Sequence, residues 1–85
     1  MDDTPQTERE LTFGEKAVGL TFNPAAGDTH IAVNDIKEKA AAFIDKCNQL
    51  RDLTDNGEQK RMYSVAITEA QTAQMWAVKA VTWSN

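Results

Sequence analysis

The sequence predicts an all-α fold: an antiparallel two-helix hairpin preceded by an N-terminal arm. Two observations carry this prediction. Residues 30–85 contain no proline and a single glycine, Gly57, and their apolar residues recur at steps of three and four. Side chains with this spacing line up on one face of an α-helix. A short break between two such patterns brings the helices together antiparallel.

Length and charge limit the classes of protein that are compatible with this chain. Its 85 residues suffice for one domain, and we expect a flexible polar tail over residues 1–10 and a single helical-hairpin domain over residues 11–85. The net charge of −4 argues against general DNA or RNA binding and against an anionic membrane surface. No apolar run is long enough to span a bilayer. A lone cysteine, Cys47, excludes an internal disulfide framework and a thiolate metal cluster.

The arm, residues 11–29, is irregular but apolar, with three glycines and one proline. Because it is too apolar to stay unfolded, we expect it to pack on another element, with a short helical turn near Glu15–Val18. The first hairpin helix follows. Asp28 or Thr29 is expected to cap its start, and Asn56-Gly57 to close its end in a left-handed conformation. Its apolar stripe consists of Val33, Ile36, Ala40, Phe43, Cys47 and Leu50.

The second helix, from about Glu58 to Trp83, carries a stripe of alanines at helical spacing, flanked by larger apolar residues. One partner helix cannot cover Trp76, Trp83 and the flanking aliphatic residues together. The sequence therefore predicts a homo-oligomer. The alternative is that the arm folds back and covers the surplus surface.

Catalytic and cofactor motifs are absent from the sequence. The chain has one histidine, one cysteine, no phosphate-binding glycine loop and no dinucleotide fingerprint. We therefore expect no enzyme activity, no cofactor and no metal site. Residues suited to binding an anion or a base are present: the loop-to-helix junction at Thr29 and His30, the aromatic Phe13, and the cations Lys16 and Arg61. From the residues alone they support only a small oligomeric helical binding protein.

Two long segments add a family resemblance. Residues 16–24 (Lys-Ala-Val-Gly-Leu-Thr-Phe-Asn-Pro) and residues 63–83, which include Gln-Thr-Ala-Gln-Met-Trp, resemble the hairpin domain of phage anti-CBASS and anti-Thoeris sponge proteins. The short chain is similar to the anti-CBASS branch. The resemblance implies a homohexamer in the host bacterial cytoplasm that captures cyclic di- and trinucleotides without cleaving them.

The resemblance also implies two ligand sites. For cyclic dinucleotides, Phe13 matches the aromatic residue that stacks on the base, and His30 matches the basic residue that meets the phosphate, with Lys16 nearby. For cyclic trinucleotides, Gly27, Thr29 and Arg61 match the glycine, hydroxyl and arginine of a separate pocket. This chain has Asn-Pro-Ala-Ala-Gly where the family has Asn-Pro-Ser-Gly, and a histidine replaces a permanent cation.

Two other functions stay open from the sequence. One is a structural helical oligomer without a ligand, although a plain bundle has no need of the segment between Phe13 and His30. The other is an anti-Thoeris sponge for cyclic ADP-ribose-type signals, which differs only in the details of the pocket.

Overall fold

A computed structural model describes residues 9–21 and 27–84, and within these ranges the secondary structure is three α-helices without a strand. Helix α1 spans Phe13–Ala17, α2 spans Gly27–Leu53 and α3 spans Gly57–Val81. The short connection between α2 and α3 makes them antiparallel, and α1 packs against α2. This order confirms the predicted all-α hairpin with an N-terminal arm. The predicted flexible tail lies outside the described residues except for positions 9 and 10, as do residues 22–26 of the arm.

Helix α1 is only five residues long and owes its definition to its ends. At its start, Thr12 and Glu15 form a capping box: the Thr12 hydroxyl accepts from the Glu15 amide at 3.0 Å, and the Glu15 carboxylate accepts from the Thr12 amide at 2.9 Å. At its end Gly19 adopts a φ of 63°. The Leu20 amide then donates back to the Glu15 carbonyl and the Gly19 amide to the Lys16 carbonyl, which is the Schellman pattern.

The core lies where α1, α2 and α3 meet, and it differs in register from the predicted stripe. Its buried members are Val18, Ala41, Ile44, Cys47 and Ile67. The predicted positions Val33 and Cys47 are buried, whereas Phe43 is 53% exposed in the single chain. The reason is that α2 contacts two elements. Because α2 is covered by both α1 and α3, its buried positions include 37, 41 and 44. Each of these lies one residue after a position of the predicted stripe.

Both helix-capping predictions for the hairpin were wrong. Helix α2 already begins at Gly27, so Asp28 and Thr29 lie inside its first turn and are not its caps. Asn56 is the N-cap of α3, and its side chain accepts from an amide three residues further on. Gly57 is the first residue of α3, and among the described glycines only Gly19 has a positive φ. Satisfying the free amides of α3 therefore takes precedence over a left-handed closure of α2.

The single chain leaves a broad apolar surface on α3. Trp76 and Trp83 are each 65% exposed, near the carboxyl end of the helix. Other large apolar side chains on the same helix are also exposed, namely Met62, Val65 and Met75. Within the described residues the arm does not cover this surface, so the surplus apolar area predicted from the sequence is present. Apolar surface of this extent is typical of an interaction face.

Candidate functional site

Helix α1 is held against α2 by a glycine that has no room for a side chain. A Cβ atom added to Gly14 would lie 2.2 Å from the Ala41 carbonyl oxygen and 2.9 Å from a carboxylate oxygen of Asp45. The close approach lets the Gly14 amide donate to Asp45 Oδ1 at 2.7 Å. Because the acceptor is charged, this hydrogen bond is stronger than one between neutral groups. Gly14 and Asp45 therefore fix the position of the arm.

The arm presents Phe13 as a supported aromatic surface. The Phe13 side chain is 45% exposed, and the guanidinium carbon of Arg51 lies 5.7 Å from its ring centroid. Arg51 is itself held from both helices of the hairpin, because it donates to Asn48 Oδ1 at 2.7 Å and to Ser64 Oγ at 2.9 Å. A cation at this distance stabilises the ring through its quadrupole and limits its motion. Phe13 thus has a defined position and an accessible part on which a base can stack.

The residues predicted for a cyclic dinucleotide fall into two groups in the chain. Phe13 and Lys16 are three residues apart on α1, so they are neighbours on its surface, and Lys16 is exposed. His30 is exposed in the first turn of α2. Gly14, the chain neighbour of Phe13, packs on Ala41, which lies about 17 Å along α2 from His30 at 1.5 Å per residue. Phe13 and Lys16 are therefore neighbours on α1, whereas His30 lies at the start of α2.

The residues predicted for a cyclic trinucleotide are separated in the same way. Gly27 is the first residue of α2, and Thr29, which is half-buried, lies in its first turn. Arg61 lies at the opposite end of the hairpin, because its neighbour Lys60 donates to the Arg51 carbonyl at 3.0 Å. The exposed Arg61 side chain forms an ion pair with Glu58, and this hydrogen bond raises the Arg61 pKa. Within one chain, Arg61 and the start of α2 cannot contact the same small ligand.

A cleft beside α1 contains two polar residues that sequence reasoning missed. Lys37 is only 5% exposed and donates to the Gly19 carbonyl at 3.0 Å, so its ammonium is tied to the left-handed turn that ends α1. Burial lowers the Lys37 pKa, because removal from water disfavours the charged form. Gln74 on α3 is 7% exposed, and its side-chain oxygen has no hydrogen-bond donor. Helical spacing places Lys37 four residues after Val33 on the same face of α2, but it does not indicate which carbonyl Lys37 contacts.

Glutamines of α3 face the arm at two successive turns. Gln71 donates from its side-chain amide to the Ala17 carbonyl at 3.0 Å, which ties α3 to α1 across the hairpin. Gln74 follows three residues later, next to the cleft. In the single chain, Gln71 therefore helps to hold the arm on the hairpin.

The described part of the chain has neither a metal-binding cluster nor a membrane-spanning helix. Residues 9–21 and 27–84 contain no group of three or more histidine, cysteine, aspartate or glutamate side chains placed to hold a metal ion. Over the same ranges no helix combines the length and the hydropathy that crossing a bilayer requires.

The fold and the candidate site define a class: a short all-α hairpin that carries an arm with an exposed aromatic ring and neighbouring cations. Residues 15–82 match the family model described as Acb2/Tad1, hairpin domain. The chain belongs to this family, that of the anti-CBASS and anti-Thoeris sponges, which confirms the resemblance seen in the sequence. Searches of curated proteins and of solved structures gave no match.

Membership of the family implies the general activity. The chain is a phage sponge protein that binds cyclic nucleotides, counters anti-phage defence signalling and acts within the host cell. The family is one of binding proteins and is not known for catalysis.

Proposed function

We propose that this protein sequesters the cyclic di- and trinucleotide messengers of bacterial CBASS immunity in the host cytoplasm and releases them uncleaved. The observation that carries the proposal is the family match over residues 15–82, which includes the arm from Glu15 onwards and both hairpin helices. The supported Phe13 ring and the adjacent Lys16 give this arm the two chemical functions that a nucleotide needs, a stacking surface and a cation.

The separation of the predicted site residues supports binding between copies of the chain. Phe13 with Lys16 lies on α1, and Thr29 with His30 lies at the start of α2. A ligand that contacts both groups would then take them from different protomers. The positive dipole end at the start of α2 adds to its attraction for a phosphate.

We propose the homohexamer as the assembly that builds these shared sites. The exposed Trp76 and Trp83 supply apolar surface for association, and Arg61 would then approach the start of α2 from a neighbouring protomer. Light scattering at micromolar concentration is expected to give about six times the chain mass of 9.4 kDa. A mass of 9.4 kDa under these conditions would refute the shared sites.

Calorimetry with a panel of cyclic dinucleotides, cyclic trinucleotides and cyclic ADP-ribose isomers tests the ligand class. We expect binding of cyclic di- and trinucleotides. Because the matching family includes anti-Thoeris proteins, binding of the cyclic ADP-ribose isomers alone would assign the chain to that second function. If the protein binds no member of the panel, the remaining function is that of a structural helical oligomer without a ligand.

The fate of the ligand is tested by heating the complex and chromatographing the released nucleotide. An intact cyclic product is expected for a sponge. A linear product would show hydrolysis and would contradict sequestration without cleavage.

A further inference from the structure

The cleft beside α1 is built like a small-molecule site. It has a volume of about 440 Å³, within the range that binding pockets for small ligands occupy. Its walls include the apolar side chains of Met75 and Val78, and its polar groups are Lys16, Lys37 and Gln74. Apolar walls with a few converging polar groups are the usual composition of such sites. Phe13 does not line the cleft, so the cleft is distinct from the stacking surface described above.

Gln74 is the feature of the cleft that the fold itself does not explain. Its side chain is buried, yet its Oε1 atom has no hydrogen-bond donor. A buried acceptor without a partner destabilises the folded state, since it has lost water and gained nothing in return. A leucine of similar size at this position would avoid that cost. A donor that arrives with a ligand, met by rotation of the Gln74 side chain into the cleft, would supply the missing hydrogen bond.

The cations of the cleft indicate the charge of that ligand. Lys16 is exposed at the cleft, and the buried Lys37 adds a second ammonium group nearby. Two cations lining one cleft favour an anionic ligand. The apolar walls formed by Met75 and Val78 suit the faces of a flat ring.

We propose that this cleft binds a nucleobase of the ligand and that Gln74 recognises its amine-bearing edge, as found in adenine. A glutamine carboxamide can accept from the exocyclic N6 amine of adenine while donating to N7, a pairing that discriminates between bases. Lys16 would lie on the side of the phosphate. This inference rests on the proposed function and deepens it, because it names the residue that selects the base.

The test compares two cyclic dinucleotides that differ in the amine. Cyclic di-AMP carries the N6 amine, whereas cyclic di-IMP has a carbonyl oxygen in its place. By calorimetry the wild-type protein is expected to bind cyclic di-AMP about tenfold or more tightly than cyclic di-IMP. Gln74→Leu should bring the two affinities within about twofold of each other, as expected when the base-reading pair is lost. The control Gln49→Leu changes an exposed glutamine on α2 and should leave the wild-type ratio unaltered.

A stability measurement separates recognition from a structural role. Because Gln74→Leu removes a buried acceptor without a partner, its Tm should equal or exceed that of the wild type while base discrimination is lost. An unchanged ratio of affinities in Gln74→Leu would overturn the proposal. A changed mass by light scattering, with the ratio retained, would also overturn it and would assign the cleft to a protomer interface.

The outcomes also separate this inference from the proposed function. If the wild-type protein binds cyclic oligonucleotides but not cyclic di-AMP, the recognition by Gln74 is refuted and the sponge function stands. If it binds no cyclic oligonucleotide at all, the proposed function fails, and the inference fails with it.

Discussion

Gly14→Ala tests whether the arm must dock on α2 for the protein to bind its ligand. The added Cβ would lie 2.2 Å from the Ala41 carbonyl oxygen and 2.9 Å from its carbonyl carbon. Both contacts involve backbone atoms of a long helix, which cannot yield as a flexible side chain can. The arm must therefore move away from α2, and the 2.7 Å hydrogen bond from the Gly14 amide to Asp45 lengthens or breaks.

The magnitude follows from three contributions. Forcing a methyl group into a packed interface costs about 1–3 kcal/mol. Loss of a hydrogen bond to a charged group costs about 1.5–3 kcal/mol where the bond breaks fully. Alanine favours the helical state over glycine by about 1 kcal/mol, which opposes the first two contributions. The clash decides the sign, and we expect docking of the arm to be weakened by roughly 1.5–5 kcal/mol where the hydrogen bond breaks fully.

Gly57→Ala is the matched control. Gly57 also lies in the first turn of a helix, but a Cβ added there meets nothing within 4 Å. The control should therefore raise the free energy of unfolding by up to about 1 kcal/mol. Hydrogen exchange of the amides of residues 14–20 reports arm docking, and calorimetry with a cyclic dinucleotide reports its functional consequence. Equal exchange rates and equal affinities for Gly14→Ala and the wild type would refute the reasoning.

Three further substitutions test the ligand contacts. Phe13→Ala should weaken the binding of cyclic dinucleotides by about 1–3 kcal/mol, because stacking is lost, and should leave the binding of cyclic trinucleotides nearly unchanged. If calorimetry shows an equal loss of affinity for both ligands while the oligomer stays intact, the two sites are not separate. Arg61→Ala should weaken the binding of cyclic trinucleotides but not of cyclic dinucleotides. If the control Lys60→Ala weakens binding equally and both losses of affinity vanish at high salt, Arg61 acts only through its general positive charge and does not contact the ligand. Arg51→Met keeps an aliphatic chain beside the Phe13 ring and removes only the supporting cation. It should therefore weaken the binding of cyclic dinucleotides less than Phe13→Ala does.

The hairpin could be predicted because long helical periodicity is a strong signal. The predicted second helix, Glu58 to Trp83, differs from the observed α3 by one residue at its start and two at its end. The caps were missed because Asn-Gly is suited to ending one helix and to beginning the next. Only the three-dimensional arrangement decides which set of free backbone groups the asparagine satisfies, and here it is the amides of α3.

The environment of the site could not be predicted because it depends on where the arm docks. Nothing local to Lys37 indicates that a carbonyl exposed by the left-handed Gly19 accepts its ammonium, and a lysine on a helix is ordinarily assigned to solvent. The same applies to Arg51, which supports Phe13 only because Gly14 allows α1 to approach α2. Residue types indicated which chemistry was available, whereas the packing of one short helix determined which groups meet.

The pH dependence of arm docking follows from Glu15. Its carboxylate accepts hydrogen bonds from Arg9 at 3.0 Å and from the Thr12 amide at 2.9 Å. Both hydrogen bonds lower the Glu15 pKa from its ordinary value of 4.5, and the one from Arg9 has the larger effect. A carboxyl group whose pKa is lower in the folded than in the unfolded state stabilises the fold above its unfolded pKa, and this stabilisation is lost as the pH falls through the folded pKa.

Docking of the arm should therefore be constant near neutral pH and weaken as the pH falls below about 4.5, where most of the unfolded carboxyl groups are protonated. Glu15→Gln keeps an acceptor for the Thr12 amide but cannot ionise, so the variant should dock more weakly than the wild type at pH 7 and show a smaller change on acidification. Hydrogen exchange of the α1 amides, corrected for intrinsic rates, measures both effects. The control Glu69→Gln alters an exposed carboxylate on α3 and should follow the wild type. If Glu15→Gln retained the full acid sensitivity of the arm, the capping box would not be its cause.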